Sequence, residues 1–273
     1  ADSLPASGPF VGPETQERER GRPFAARLGA NESLFGPSPK AVEAMAQAAP
    51  ETWKYGDSLS FDLRAELSAR LGVGADHIMV GEGIDGLLGY LVRLTVGSRD
   101  RVVTSLGAYP TFNYHVAVPD GTLLVLDEAY LEFAPEGTAP VIDPDDPRVI
   151  RMRTFSKAYG LAGARVGYAI GAEPLITAFN KIRNHFGMAR ISQAGALAAL
   201  RDDDWLNDVQ VRVAAARERI ARIAAANGLT ALPSATNFVA IDCCADGDFA
   251  RRVLSELVAR DIFVRMPFAP PQD

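Results

Sequence analysis

Lys157 lies in the run Thr154-Phe-Ser-Lys-Ala-Tyr-Gly-Leu-Ala-Gly-Ala-Arg165-Val-Gly-Tyr168, a small, glycine-bounded stretch that follows an apolar segment. A lysine amine becomes a nucleophile toward carbonyls once desolvation or neighbouring cations bring its pKa down toward working pH, and Arg165 is one such cation. Thr154 and Ser156 set hydroxyls beside the lysine. A phosphate dianion would accept hydrogen bonds from both and pair with the Arg165 guanidinium. Upstream, Leu123-Leu-Val-Leu126 reads as a buried strand that runs into Asp127-Glu-Ala-Tyr130, so a carboxylate and a phenol emerge together at a strand end.

A buried amine, a strand-end carboxylate and a phosphate cup are what pyridoxal 5′-phosphate requires. That cofactor needs an amine to hold it as a Schiff base and an acidic partner that keeps its pyridine nitrogen protonated. Lys157 supplies the first and Asp127 the second, with Tyr130 a donor to the ring hydroxyl. Once a substrate amine displaces Lys157, the freed side chain can carry a proton between substrate and cofactor. Each piece taken singly has a plainer reading: a Ser-Lys pair usually sits on solvated surface, and an Asp-Glu pair closing a strand usually begins a polar loop. The constellation carries the chemistry.

Gly81-x-Gly83-x-x-Gly86 follows the segment His77-Ile-Met-Val80 and also spells the dinucleotide-binding fingerprint. A nicotinamide site would want an acidic residue at the tip of the next strand, about 20 residues on. The next strand, Arg101-Val-Val-Thr-Ser-Leu106, ends in Gly107-Ala108 instead. The amides of Gly83, Ile84 and Asp85 at a helix start bind phosphate in either case, and we assign them to the pyridoxal phosphate group.

These residues need a scaffold, and the composition supplies one. With 273 residues, 48% hydrophobic and 23% charged, the chain can bury a substantial core. A net charge of −6 argues against broad nucleic-acid or anionic-membrane binding and leaves room for a local cationic cup. No window approaches the run of apolar residues that a membrane helix needs, and the cytoplasm is the default compartment. Cys243 and Cys244 are adjacent and read as unbridged core filler. His77, His115 and His185 follow no metal-ligand spacing, and no metal site is expected.

Ala1 to about Gly29 reads as a Pro/Gly- and charge-rich arm that cannot pack a core alone and drapes over something else. Pro37 and Pro39 suit the start of a helix through about Ala49, and Phe61–Leu71 gives a second helix closed by Gly72. Strand 76–80, helix 86–95, strand 101–106 and strands 122–126 and 149–154 then describe βα units in a mostly parallel sheet, with Gly167–Ile170 a further strand. Helices near 173–184 and 191–200 lead to a long helical pattern over Val209–Asn227 with Gly228 at its C-terminus. A smaller αβ unit follows: strand 238–242, helix 248–260, strand 262–264. Ligands bind such sheets at their strand ends, where Asp127 and Lys157 fall.

In order along the chain stand Asn31-Glu32, Tyr55 in Trp-Lys-Tyr-Gly-Asp, Gly81-Glu-Gly-Ile-Asp85, Tyr109-Pro-Thr-Phe112, Asp127-Glu-Ala-Tyr130, and Ser156-Lys157 with Arg165. The chain thereby resembles the fold type I, class I and II aminotransferases, and within them the histidinol-phosphate aminotransferase branch. The resemblance implies an α/β fold with a central sheet flanked by helices and a smaller αβ domain. It divides the chain into an N-terminal arm and the start of the small domain (1–50), a large cofactor-binding domain (51–188) and a C-terminal small domain (189–273). It implies that Lys157 forms the covalent link to the cofactor, Asp127 meets the pyridine nitrogen and Tyr130 the ring hydroxyl. Phe112 stacks on the ring, Thr154, Ser156 and Arg165 form the phosphate cup, and Asn31 lies near the substrate. Tyr55 reaches the phosphate of the other subunit, which makes the enzyme a homodimer with shared sites. The implied activity is amino-group transfer from histidinol phosphate, an aromatic amino acid or another amine to a 2-oxo acid such as 2-oxoglutarate.

Two departures from the family pattern stand out. Between His115-Val-Ala-Val118 and Pro119-Asp-Gly the family has a further strand, helix and strand, roughly 30 residues or more on the scale of a βαβ unit, carrying an asparagine for the ring hydroxyl. The family arginine that clamps a substrate carboxylate or phosphate lies beyond Arg265-Met-Pro-Phe-Ala-Pro-Pro-Gln-Asp273, and Arg265 stands before its place. We expect the polypeptide to be longer than this sequence, with segments omitted at the 118/119 junction and at the C-terminus. Were the junction a true deletion, a crippled enzyme or a binding protein without turnover would be expected. A decarboxylase or lyase using the same cofactor is the remaining alternative.

Overall fold

The computed structural model describes residues 12–97, 100 and 123–266. The Tyr109–Phe112 motif, the strand expected over 101–106 and the 118/119 junction lie outside them. In chain order the described elements are α1 (Pro13–Arg20), β1 (Ala26–Arg27), α2 (Pro39–Ala48), α3 (Phe61–Leu71), β2 (Ile78–Gly81), α4 (Gly83–Thr95), β3 (Leu124–Asp127), β4 (Val149–Thr154), β5 (Gly167–Gly171), α5 (Glu173–Ile182), α6 (Arg190–Leu200), α7 (Asp203–Ala226), β6 (Thr230–Ala231), β7 (Ile241–Asp242), α8 (Gly247–Ala259) and β8 (Ile262–Phe263). Local chemistry sets several boundaries. Ser38 caps α2 by accepting from the Lys40 amide, with Pro39 in the first turn.

The central sheet runs in the order β2-β5-β4-β3. β3 and β4 are parallel, and β5 is antiparallel to both of its neighbours, β2 and β4. Strands β2, β3 and β4 therefore share one direction, as a mostly parallel sheet requires, and β5 is the exception. The link between β4 and β5, which carries Lys157, holds a 3₁₀ turn and no α-helix to cross the sheet, and the Phe155 amide donates to the Val166 carbonyl at 3.0 Å, continuing the antiparallel ladder.

Alternation along the strands sorts the side chains onto two faces. Met79, Ile150, Met152 and Ala169 face α4 and α5, where Leu87, Leu88, Leu91, Ile176 and Phe179 are buried. Ile78, Val80, Tyr168 and Ile170 face the opposite way, into a cluster with Leu63 and Leu67 of α3 and Ala196, Ala199 and Leu200 of α6. Full burial stabilises each large apolar side chain by about 1.5–3 kcal/mol, so the sheet is fixed from both sides.

Several expectations shift. The strand expected over 76–80 begins as a 3₁₀ turn, Ala75–His77, and the strand expected over 122–126 is described from Leu124 and includes Asp127. The strand expected over 238–242 shrinks to Ile241–Asp242, because Thr236 Oγ1 accepts the Phe238 amide at 3.2 Å and the Ser234 hydroxyl donates to the Phe238 carbonyl at 2.5 Å. Such local side-chain bonds compete with the ladder. Cys243 and Cys244 are free, but they are not core filler: Cys243 is half-buried and Cys244 exposed, in a turn whose amide the Asp242 carboxylate accepts at 2.8 Å.

The arm drapes over the C-terminal segment. β1 pairs in parallel with β8, Ala26 beside Ile262 and Arg27 beside Phe263, while the buried Phe24 ring meets Phe263 at 5.3 Å. Arg20 pairs with Asp261 and lies over the Phe24 ring at 4.2 Å. Among the described residues no helix is long and apolar enough to cross a membrane.

Candidate active site

β3 and β4 end side by side, Asp127 opposite Met152, so Asp127 and Thr154 share the face that α4 covers. Asp127 Oδ1 accepts the Ala129 amide at 3.0 Å, which turns the chain sharply after the strand. The carboxylate keeps accessible surface yet is crowded by protein, as in a concave site. Desolvation raises its pKa, Asp85 and Glu128 add to the rise, and the Ala129 amide and Lys157 oppose it. Glu128 points to the other face, where Arg151 and Arg153 of β4 both grip it, Arg153 Nε at 2.8 Å. This buried clasp registers the Asp127–Tyr130 turn against the strand that leads to Lys157.

Lys157 Nζ donates to the Asn31 carbonyl at 3.2 Å and lies 5.4 Å from the centre of the Tyr130 ring. Desolvation lowers its pKa, Arg265 and Arg165 lower it further, and the carboxylates of Glu32 and Asp127 act against them. Asn31 has φ 56°, the left-handed conformation that asparagine tolerates better than most residues, and its side chain donates to the Tyr130 hydroxyl at 3.3 Å. Phe238 packs edge-on against the Tyr130 ring at 5.4 Å.

A second group of residues forms a cradle beside this cluster. Thr154 Oγ1 accepts the Ser156 amide at 3.0 Å and lies 2.9 Å from Ser156 Oγ, which Arg165 Nη1 approaches at 3.5 Å. Arg165 Nη2 is 3.7 Å from Asp85 Oδ2 in the first turn of α4. Glu82, at the head of α4, does not cap the helix; its carboxylate accepts from the Tyr90 hydroxyl at 3.2 Å. The Glu82 side chain therefore does not occupy the head of α4, the end of a helix that favours an anion. Two glycines permit this closeness. Gly83 has φ +78°, and a Cβ on it would fall 2.5 Å from Arg165 Nη2; one on Gly167 would fall 2.8 Å from the Gly83 carbonyl carbon and 2.9 Å from the Ile84 nitrogen.

The fold thus gathers Lys157, Asp127, Tyr130 and Asn31, and beside them Thr154, Ser156, Arg165, Gly83, Ile84 and Asp85. Tyr55 stands outside the group, 75% exposed and packed on Phe186 at 4.7 Å. Phe112 lies outside the described residues. Sequence reasoning missed Asn237, whose Nδ2 donates to the Asn31 and Glu32 carbonyls at 3.1 and 3.3 Å, and the Glu128 clasp. The clasp had a signal: two arginines at alternate positions of an otherwise apolar strand. It also gave Arg265 no role near the lysine, whereas the fold brings that charge close enough to act on it.

A family model described as aminotransferase class I and II matches residues 114–270. An aromatic amino acid aminotransferase of Corynebacterium diphtheriae is 33% identical over 301 residues, covering 88% of this chain and 86% of that protein. A histidinol-phosphate aminotransferase of Staphylococcus epidermidis is 30% identical over 298 residues, covering 87% and 84%. Both alignments are longer than the 273-residue chain, so these relatives carry residues without a counterpart here. Among solved structures, histidinol-phosphate aminotransferase from Sinorhizobium meliloti in complex with pyridoxal-5′-phosphate superposes with a TM-score of 0.92 at 46% identity, covering 99% of this chain and 89% of that one. The chain belongs to the class I and II aminotransferases.

Proposed function

We propose that the chain moves an amino group from histidinol phosphate or an aromatic amino acid to a 2-oxo acid such as 2-oxoglutarate, using pyridoxal 5′-phosphate bound through Lys157. The observation that carries this reading is the convergence of a desolvated lysine, a strand-end carboxylate and a glycine-floored anion cradle at one end of the sheet. The cradle fits a phosphate: a Cβ on Gly83 or Gly167 would fill it or push it apart, and hydroxyl, guanidinium and helix amides line it. The two substrate classes are those named by the relatives. When bound, the cofactor supplies an electron sink for the carbon that bears the amine.

The protein's residues do the rest. Ser156, Arg165 and the α4 amides would hold the phosphate, with Thr154 fixing Ser156. Asp127 would meet the pyridine nitrogen, and Tyr130 would orient the ring through its hydroxyl. Lys157 Nζ, whose pKa is lowered by burial, Arg265 and Arg165, would take and return the substrate proton. Asn31 lines the substrate side. Phe112 is assigned to the ring face by resemblance alone. Tyr55, exposed together with Trp53, Phe61 and Phe186, is assigned to the phosphate of a second copy in a homodimer. We divide the chain at residues 50 and 188 into arm, large domain and small domain.

Borohydride reduction of the cofactor-loaded protein with peptide mapping tests the reading. Label on Lys157, and none on the Lys157→Ala protein, is the expected result; label on another lysine would overturn it. Released CO₂ or ammonia in place of a new amino acid would replace transamination by decarboxylation or elimination.

A further inference from the structure

We propose that Asn237 is a positioning residue for Lys157, its amide holding the Asn31 carbonyl where that oxygen receives the lysine amine. The inference rests on the reading of Lys157 given above and adds a residue from the C-terminal part of the chain. Asn31 O accepts from two side chains at once, Lys157 Nζ at 3.2 Å and Asn237 Nδ2 at 3.1 Å. Asn237 Nδ2 also reaches Glu32 O at 3.3 Å, so both carbonyls of the Asn31-Glu32 turn point at one amide. Two facing acceptors leave the amide only one orientation, with NH₂ toward the turn.

The opposite end of that amide is the telling part. Among the described residues Asn237 Oδ1 is buried and has no hydrogen-bond partner. An orphaned acceptor costs stability, and an apolar side chain of similar size would not carry that cost. Packing alone therefore does not account for an asparagine here, whereas a donor aimed at Asn31 does. Its loop is built for delivery: Ser234 and Thr236 hydroxyls lie 3.0 Å apart, Ser234 Oγ accepts the Thr236 amide at 3.1 Å, and Arg217 of α7 donates to the Thr236 carbonyl at 2.8 Å. The next residue, Phe238, meets Tyr130.

An acceptor placed at the amine favours its protonated form. The charged groups around Lys157 are Asp127 at the end of β3, Glu32 on the turn itself, Arg165 before β5 and Arg265 after β8, and none of them changes when Asn237 does. Loss of the Asn237 donor frees the Asn31 carbonyl and lowers the pH at which the amine becomes neutral.

The test is the pH dependence of pyridoxal 5′-phosphate capture by the cofactor-stripped full chain, followed by absorbance, since only the neutral amine adds to the aldehyde. Asn237→Leu is expected to melt near wild type while the capture midpoint moves down by about half to one pH unit. An unchanged midpoint would overturn the proposal, and so would a lowered melting temperature without a shift. If Asn237→Leu folds poorly, Asn237→Ser decides: with one short donor left, it should give an intermediate midpoint, and the wild-type midpoint would sink the idea. Wild-type protein that captures no cofactor at any pH would instead remove the reading of Lys157, and this inference with it.

Discussion

Two carboxylates close together in sequence answer to different tasks. Asp127 is desolvated at the mouth of the site and faces Lys157 through space, so Asp127→Asn should cut the half-reaction rate by about 10²–10⁴-fold while leaving the melting temperature near wild type. Stopped-flow measurement of the donor half-reaction checks it. Glu132 is buried away from that mouth: among the described residues its Oε2 has no hydrogen-bond partner, and desolvation pushes its pKa up to about 7 from an ordinary 4.5. Below pH 4.5 both folded and unfolded chains hold this proton. From 4.5 to 7 the unfolded chain releases it and the folded chain keeps it, so stability falls as pH rises, by roughly 3 kcal/mol in all. Glu132→Gln should flatten that part of the stability curve and gain over wild type above pH 7 in urea unfolding at a series of pH values.

At the scale of elements, the cradle depends on how closely the start of β5 approaches the start of α4. Gly167 sits where a Cβ would meet the backbone of Gly83 and Ile84, neither of which can swing aside. Gly167→Ala should cost about 1–3 kcal/mol and speed cofactor loss during dialysis. Gly163, in the turn just before, has open space at its Cβ position, and Gly163→Ala should retain both stability and cofactor. Equal behaviour of the two variants would show that the cradle tolerates widening. The antiparallel β5 makes the same point by geometry, because its return from β4 brings Arg165 and Gly167 back beside the helix start.

For the whole molecule, Tyr55, Trp53, Phe61 and Phe186 stand exposed among the described residues. If the site is shared between two copies, mixing Tyr55→Phe protein with Lys157→Ala protein under subunit exchange should restore activity, because one of the two sites in each mixed dimer is then intact. Activity that stays at the level of the separate variants would mean that each site is self-contained. The arm belongs to this scale too: β1 on β8 and Arg20 on Asp261 tie the start of the described chain to its end, which brings Asn31 and Asn237 within reach of each other.

The sequence by itself placed Lys157, Asp127, Ser156 and Arg165, to which we assign the chemistry, at the ends of segments whose hydrophobic period marks them as strands. It also placed most helices within a few residues, since Pro39, Gly72 and the apolar spacing act locally, but it gave no helix at Pro13–Arg20 and began the long one at Val209, where the structure begins it at Asp203. It missed whatever depends on chain segments meeting across the fold. The reversed direction of β5 goes with a link that lacks a crossover helix, and the loss of strand at Phe238 follows from two hydroxyls that outcompete a ladder. Glu128 between two arginines, and Asn237 on the Asn31 carbonyl, are pairings between residues far apart in sequence, and hydrogen bonds of that kind leave no periodic trace. Only the tertiary structure decides which distant donor a buried carbonyl receives.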